Sequence, residues 1–186
     1  MTPEQQTEAR RILDALGVGP IRSYSTRDFG RERYDGCLSV VAPSKETEAL
    51  LGRVRAALPE GMVAFIGTTR WLGDERHEGG EEIAVGAGDT QMEILRHAAS
   101  NACNYDRDTE DLIQQLESYD RQYGIVLTHA ETDTVEFDLV DLPPDRLAFA
   151  QSLYEFCPDI VEQGTESVAA LAESIEVRGA VYLWWD

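Results

Sequence analysis

Lysine is nearly missing from this chain: Lys45 stands alone against fifteen arginines. Cysteine is scarce and odd in number. Cys37, Cys103 and Cys157 are far apart and form no Cys-x-x-Cys pair, which points to reduced thiols and away from a disulfide framework or a zinc ribbon. No apolar run approaches the roughly 20 residues of a membrane helix. The opening residues Met1-Thr2-Pro3-Glu4-Gln5-Gln6 are polar and acidic, without the basic-then-apolar order of a signal peptide. These absences lead us to expect a cytoplasmic protein that binds no membrane.

Recognisable catalytic and metal motifs are lacking too. The chain has no Gly-x-Ser-x-Gly elbow and no His-Glu-x-x-His. His77, His97 and His129 do not fall at ligand spacing with one another or with Cys103 and Cys157, so neither a metal nor another cofactor is expected. Gly86-Ala87-Gly88-Asp89-Thr90 follows a predicted strand, yet it lacks the third glycine and the lysine of a phosphate loop.

What is present is acid. The formal net charge is −19, and it is unevenly spread. Met1–Arg76 holds 11 basic and 11 acidic residues, whereas His77–Asp186 holds 5 basic and 24 acidic ones. Such a surface repels nucleic acid phosphates and attracts a basic protein. It also keeps a protein soluble without any further role.

At 186 residues, one domain is the expected organisation (1–186), with a sub-boundary near 73–80 in the loop Gly73-Asp74-Glu75-Arg76-His77-Glu78-Gly79-Gly80. Thr2 and Gln5 frame a capping box, and Ala9, Ile12, Leu13 and Leu16 share a helical face. Ile21–Thr26 and Cys37–Ala42 read as strands around an arginine-bearing loop with Arg27, Arg31 and Arg33. Ser44 is expected to cap a second helix, and Met62–Ile66 reads as a strand covered on both faces. Glu82–Ala87 is another strand, and a short helix starts at Asp89-Thr90.

Asp108 caps a helix with Leu112, Ile113, Leu116 and Tyr119 on one side and Gly124 at its stop. Residues 125–130 and 134–139 form a hairpin. Pro143-Pro144-Asp145 leads a helix whose Leu147, Phe149, Ala150, Leu153, Tyr154 and Phe156 imply deep packing, and Pro158 ends it. Thr165 is expected to start a last helix. Val181–Trp185, apolar throughout, reads as an interior strand. The predicted class is α+β, a mainly antiparallel sheet with helices packed on it. The order from Glu82 onward suggests a ferredoxin-like, split β-α-β C-terminal half.

Three stretches stand out: Asn104-Tyr105-Asp106, Tyr154-x-Phe156-Cys157-Pro158-Asp159 through Gln163-Gly164, and Leu183-Trp184-Trp185-Asp186. In this order and spacing the last 100 or so residues resemble domain-of-unknown-function family 4253, an uncharacterised bacterial family. The resemblance implies that the three motifs are family hallmarks, and it implies no particular reaction.

Each motif has a local reading beside a functional one. Cys157 lies at a helix C-terminus among acids, where a thiolate is disfavoured, so a structural thiol is expected. Asp159 caps the turn after the proline or points into a crevice with Gln163. The Asn-Tyr-Asp stretch makes a turn or presents polar groups to a ligand. Trp184 and Trp185 are core, with Asp186 solvated, or the chain end marks a crevice.

The leading expectation is a non-enzymatic, immunity- or inhibitor-like binding protein whose acidic C-terminal half engages a basic protein. The alternative is a small-molecule-binding or hydrolytic pocket. The candidate ligand- or partner-binding residues are Asn104, Tyr105, Asp106, Tyr154, Asp159, Gln163, Trp185 and Asp186, and none is assigned a catalytic role. The discriminating observation is whether these polar groups converge or are each satisfied locally.

Overall fold

Local signals in the sequence set most element boundaries of the computed structural model, which describes residues 1–28, 31–33, 36–67 and 80–186, with the side chains of 27, 28 and 31–33 left aside. The expected loop at 73–80 lies, apart from Gly80, outside the described residues, as does His77. Thr2 accepts from Gln5 N and Gln5 reciprocates, opening α1 (Pro3–Asp14). Strands β1 (Arg22–Ser23), β2 (Thr26–Asp28), β3 (Arg31–Arg33) and β4 (Leu38–Ala42) follow. β2 and β3 pair with each other, so Arg27, Arg31 and Arg33 lie in a small antiparallel ladder.

Next come α2 (Thr47–Ala57), β5 (Met62–Gly67), β6 (Glu81–Ala87) and α3 (Glu93–Ala98). Ser44 does not cap α2. The helix starts at Thr47 after a turn in which Glu46 N donates to Pro43 O.

The chain divides into two compact units, Met1–Ala99 with Ala130–Thr132, and Ser100–His129 with Asp133–Asp186. In the first unit the strands run β1-β4-β6-β5, and each neighbour pairs antiparallel. Alternation assigns the two faces. Leu38, Val40, Ala64, Ile66, Ile83 and Val85 pack with Ile12 and Leu13 of α1 and Leu51 and Val54 of α2. On the opposite face Phe65 meets Tyr24 edge-on at 5.5 Å and stacks on His97 of α3 at 6.5 Å. Glu82, buried there, takes a bidentate pair from Arg22 at 3.0 and 2.9 Å and a hydroxyl from Ser39.

The second unit contains α4 (Thr109–Tyr123), β7 (Ile125–Ala130, its last residue counted with the first unit), β8 (Thr134–Leu139), α5 (Arg146–Phe156), α6 (Val168–Arg178) and β9 (Ala180–Trp184). Asp108 caps α4 through Glu110 N and Asp111 N, and Asp111 returns the capping box. The predicted face Leu112, Ile113, Leu116 and Tyr119 is buried. Asp145 caps α5 through Ala148 N. An aromatic chain runs through the core, with Phe149 and Phe156 5.3 and 6.3 Å from Tyr119 and Trp185 5.4 Å from Phe156.

Four expectations change. Leu147 is 57% exposed, so α5 is buried on one face only. Ser167, not Thr165, caps α6, because residues 160–165 form a π-turn. β9 pairs with β8 at the end of the strand order, and Tyr182 is 42% exposed, so β9 is not an interior strand. The split β-α-β pairing is not found either: β6 has β4 on one edge and β5 on the other, while β9 pairs with β8. The antiparallel partners of β6 come from the first 67 residues, and strand periodicity names faces but not neighbours. The class remains α+β.

Candidate functional site

The site grows from the end of α5. Pro158 excludes helical geometry at Cys157, which sits at φ −137°, ψ 87°, and the last carbonyls of the helix are left for other donors. Arg107 supplies them: Nη1 donates to Phe156 O and Nη2 to Glu155 O at 3.3 Å. Its guanidinium lies over the Phe156 ring, 5.0 Å from the centroid. Trp185 Nε1 donates to the same Phe156 O at 3.3 Å. Cys157 Sγ donates to Trp184 O at 2.9 Å. One helix end is thus closed by the residue after the first motif and by the third motif.

Asp159 is the second junction. It is 4% exposed and makes no cap to its own turn. Its Oδ1 accepts from Tyr105 OH at 2.9 Å and from Gln163 Nε2 at 3.0 Å, and its Oδ2 accepts from Asp186 N at 2.9 Å. The π-turn Ile160–Thr165 brings Gln163 back over the carboxylate. Tyr105 is aimed by the 3₁₀ turn Cys103–Tyr105, which is tied by the reciprocal Ala102–Arg107 bonds and closed by Asp106 at φ 54°. Local capping of Asp159, one of the two expected readings, gives way to a long-range network.

Beside this network lies a cleft of about 570 Å³, lined by Tyr105, Asp106, Arg107, Asp111, Gln115, Ser152, Glu155 and Phe156. Its charged lining residues are three carboxylates and one guanidinium, and Phe156, with Arg107 over its ring, lines it too. The unit that contains it carries 18 acidic residues against 4 arginines.

Two groups of the network hold their protons more tightly than usual. Burial pushes the Cys157 thiol up from an ordinary 9.0 to about 12, against its hydrogen bonds with the Trp184 and Ile160 backbones. Desolvation, then the hydrogen bond to the Asp159 carboxylate, pushes the Tyr105 phenol to about 12. Both groups are neutral in the folded protein at physiological pH.

The sign of the pH effect follows. A thiol or phenol with a raised folded pKa holds its proton longer in the native state, so its contribution is complete below the unfolded pKa and is lost as pH climbs to the folded one. Native stability is therefore expected to fall between pH 9 and about 12 for Cys157, and Cys157→Ala should flatten that fall in urea titrations. In the same samples exposed Cys103 should react rapidly with a thiol reagent, while buried Cys37 and Cys157 react only on unfolding. Rapid labelling of Cys157 in the native state would remove the structural-thiol reading.

Of the sequence candidates, Tyr105, Asp159, Gln163, Trp185 and the Asp186 backbone meet in this network, and Asp106 lines the cleft. Two do not join. Asn104 is exposed, and its Oδ1 accepts from Cys103 Sγ at 3.9 Å. Tyr154 donates to Glu162 Oε1 at 3.0 Å in an exposed pair. Sequence reasoning passed over Arg107, Asp111 and Glu155. Arg107 had a signal: it is the lone cation in Asp106-Arg107-Asp108-Thr109-Glu110-Asp111.

Elsewhere, the Gly86–Thr90 stretch makes no phosphate cradle. Gly88 N donates to Gly61 O, and α3 begins only at Glu93. His129 is half-buried on β7. Among the described residues there is no group of three or more His, Cys, Asp or Glu that could hold a metal. No described helix is long and apolar enough to cross a membrane.

The fold and this site define an α+β protein whose second unit is locked by mutual contacts among three polar-aromatic motifs. Residues 82–186 match the family model for the domain of unknown function DUF4253, and the chain belongs to that family. No curated protein and no solved structure matches it.

Proposed function

We propose that this chain is a non-enzymatic binding protein of the cytoplasm, and that its acidic second unit engages a basic protein through the cleft beside α5. One observation carries the reading. The hallmark groups that could do chemistry are consumed by one another, whereas Asp106, Asp111 and Glu155 face an open concavity. Asp111 also caps α4, and Glu155 accepts from Gln151 at 3.2 Å, so both carboxylates are held in position. A cationic side chain entering there gains opposite charge from the three carboxylates. The excess acid steers a basic protein toward the unit and repels nucleic acid.

The test is titration of an arginine-rich peptide by calorimetry at low and high salt. Binding should weaken with salt, and Asp106→Asn, Asp111→Asn and Glu155→Gln combined should weaken it by about tenfold or more. Affinity indifferent to both salt and the triple substitution sinks the proposal.

A second reading has its own support, because the cleft volume falls in the range that small ligands occupy. In that case a thermal-shift screen against amines and nucleotides gives a stabilising hit, and the peptide gives none.

A further inference from the structure

Arg107 closes α5 through contacts that another guanidinium could make in its place. Its backbone is fixed by the two Ala102 bonds, so its side chain can move without moving the turn. Its guanidinium makes three contacts: Phe156 O, Glu155 O and the Phe156 ring. They are the negative end of a helix and an aromatic face, a combination that suits any guanidinium. Its departure leaves little unsatisfied. Phe156 O keeps the Trp185 indole as a donor, and Glu155 O, whose bond to Arg107 is exposed and long at 3.3 Å, passes to water. Around the same spot stand Asp106, Asp111 and Glu155, more carboxylate than one resident arginine neutralises.

We propose that the cleft is a guanidinium site whose resident occupant is the chain's own Arg107, and that a partner's arginine binds by displacing it. This rests on the basic-partner reading above for who the ligand belongs to, but not for what the site binds. The site selects the planar guanidinium over an ammonium, because only the former donates in one plane to two neighbouring carbonyls while lying flat on Phe156. Arg107 then acts as an internal competitor that admits a partner arginine and turns away weaker cations.

The probe is methylguanidinium, with methylammonium at equal ionic strength as the control. Both are titrated into wild type and Arg107→Ala while the unfolding midpoint and the Trp185 indole N–H resonance are followed. The variant should bind methylguanidinium about tenfold more tightly than wild type, the gain expected if the resident vacates the site roughly a tenth of the time. Its Trp185 resonance should also return toward the wild-type position, and methylammonium should do neither. Equal affinities in the two proteins, or equal response to the two cations, overturn the proposal. Should Arg107→Ala fail to fold, Arg107→Met keeps the aliphatic stem and is judged by the same two comparisons. If methylguanidinium behaves as expected while wild type ignores arginine-rich peptides, the site stands and the basic-protein reading falls.

Discussion

Asp159→Ala should cost the native state about 3 kcal/mol, seen as a lower urea midpoint with an unchanged slope. The carboxylate is 4% exposed and takes one O–H and two N–H donors, from Tyr105, Gln163 and Asp186. A hydrogen bond to a charged acceptor contributes on the order of 1.5–3 kcal/mol, and the sum is discounted because Tyr105 and Gln163 regain water when the acceptor is removed. Asp159→Asn should cost less, about 1–2 kcal/mol, since one oxygen still accepts while the new amide faces a donor. It should also lower the Tyr105 phenol from about 12 toward 10, because the Asp159 carboxylate is a cause of the shift. An alanine variant as stable as wild type would mean that the network does not hold the unit together.

Gly164→Val should cost about 3 kcal/mol, and Gly164→Ala about half that. A Cβ on Gly164 would stand 2.7 Å from Cη2 of Trp184. The indole is a rigid ring 5.5 Å from that of Tyr182, and its residue's carbonyl is held by Cys157. The glycine therefore lets the π-turn close against β9, which in turn keeps Asp159 beneath Gln163. Thermal unfolding measures the loss, and the near-ultraviolet tryptophan bands should change with it. A Gly164→Val protein with wild-type midpoint and bands would show that the turn and the strand are not coupled through this contact.

The acidity of the second unit ties stability to binding. Its 18 carboxylates, offset by only 4 arginines, repel one another in the absence of a partner. The internal network offsets that repulsion by using neutral donors, namely a phenol, an amide, an indole and a thiol, instead of drawing further on the few arginines. Arg107 is the exception, and it sits where a partner's cation is proposed to bind.

Much of the fold was legible. Caps at Thr2 and Asp108 name helix starts because a side-chain acceptor two or three residues ahead of a free N–H is a local event. The buried face of α4 and the alternation of β8 follow from fixed periods of 3.6 and 2. Pro158 ends α5 by steric exclusion. Other features were not legible. The π-turn at 160–165 has the composition of an ordinary helix start, so Thr165 was a plausible cap. The apolar run Val181–Trp185 suggested an interior strand, although the strand lies at the end of the order with Tyr182 exposed.

By itself the sequence determined where α1 and α4 begin, where α5 ends, where the charge lies, and that three motifs set the second unit apart. Tertiary structure alone decided that Asp159 gathers donors from all three, that Arg107 closes α5, and that β6 pairs with β4 and β5. The physical reason is separation along the chain. Tyr105 and Asp159 are 54 residues apart, Arg107 and Phe156 are 49, and Asp159 and Asp186 are 27. Local propensity reaches a turn or two of helix; bonds across such spans exist only after packing has brought their ends together.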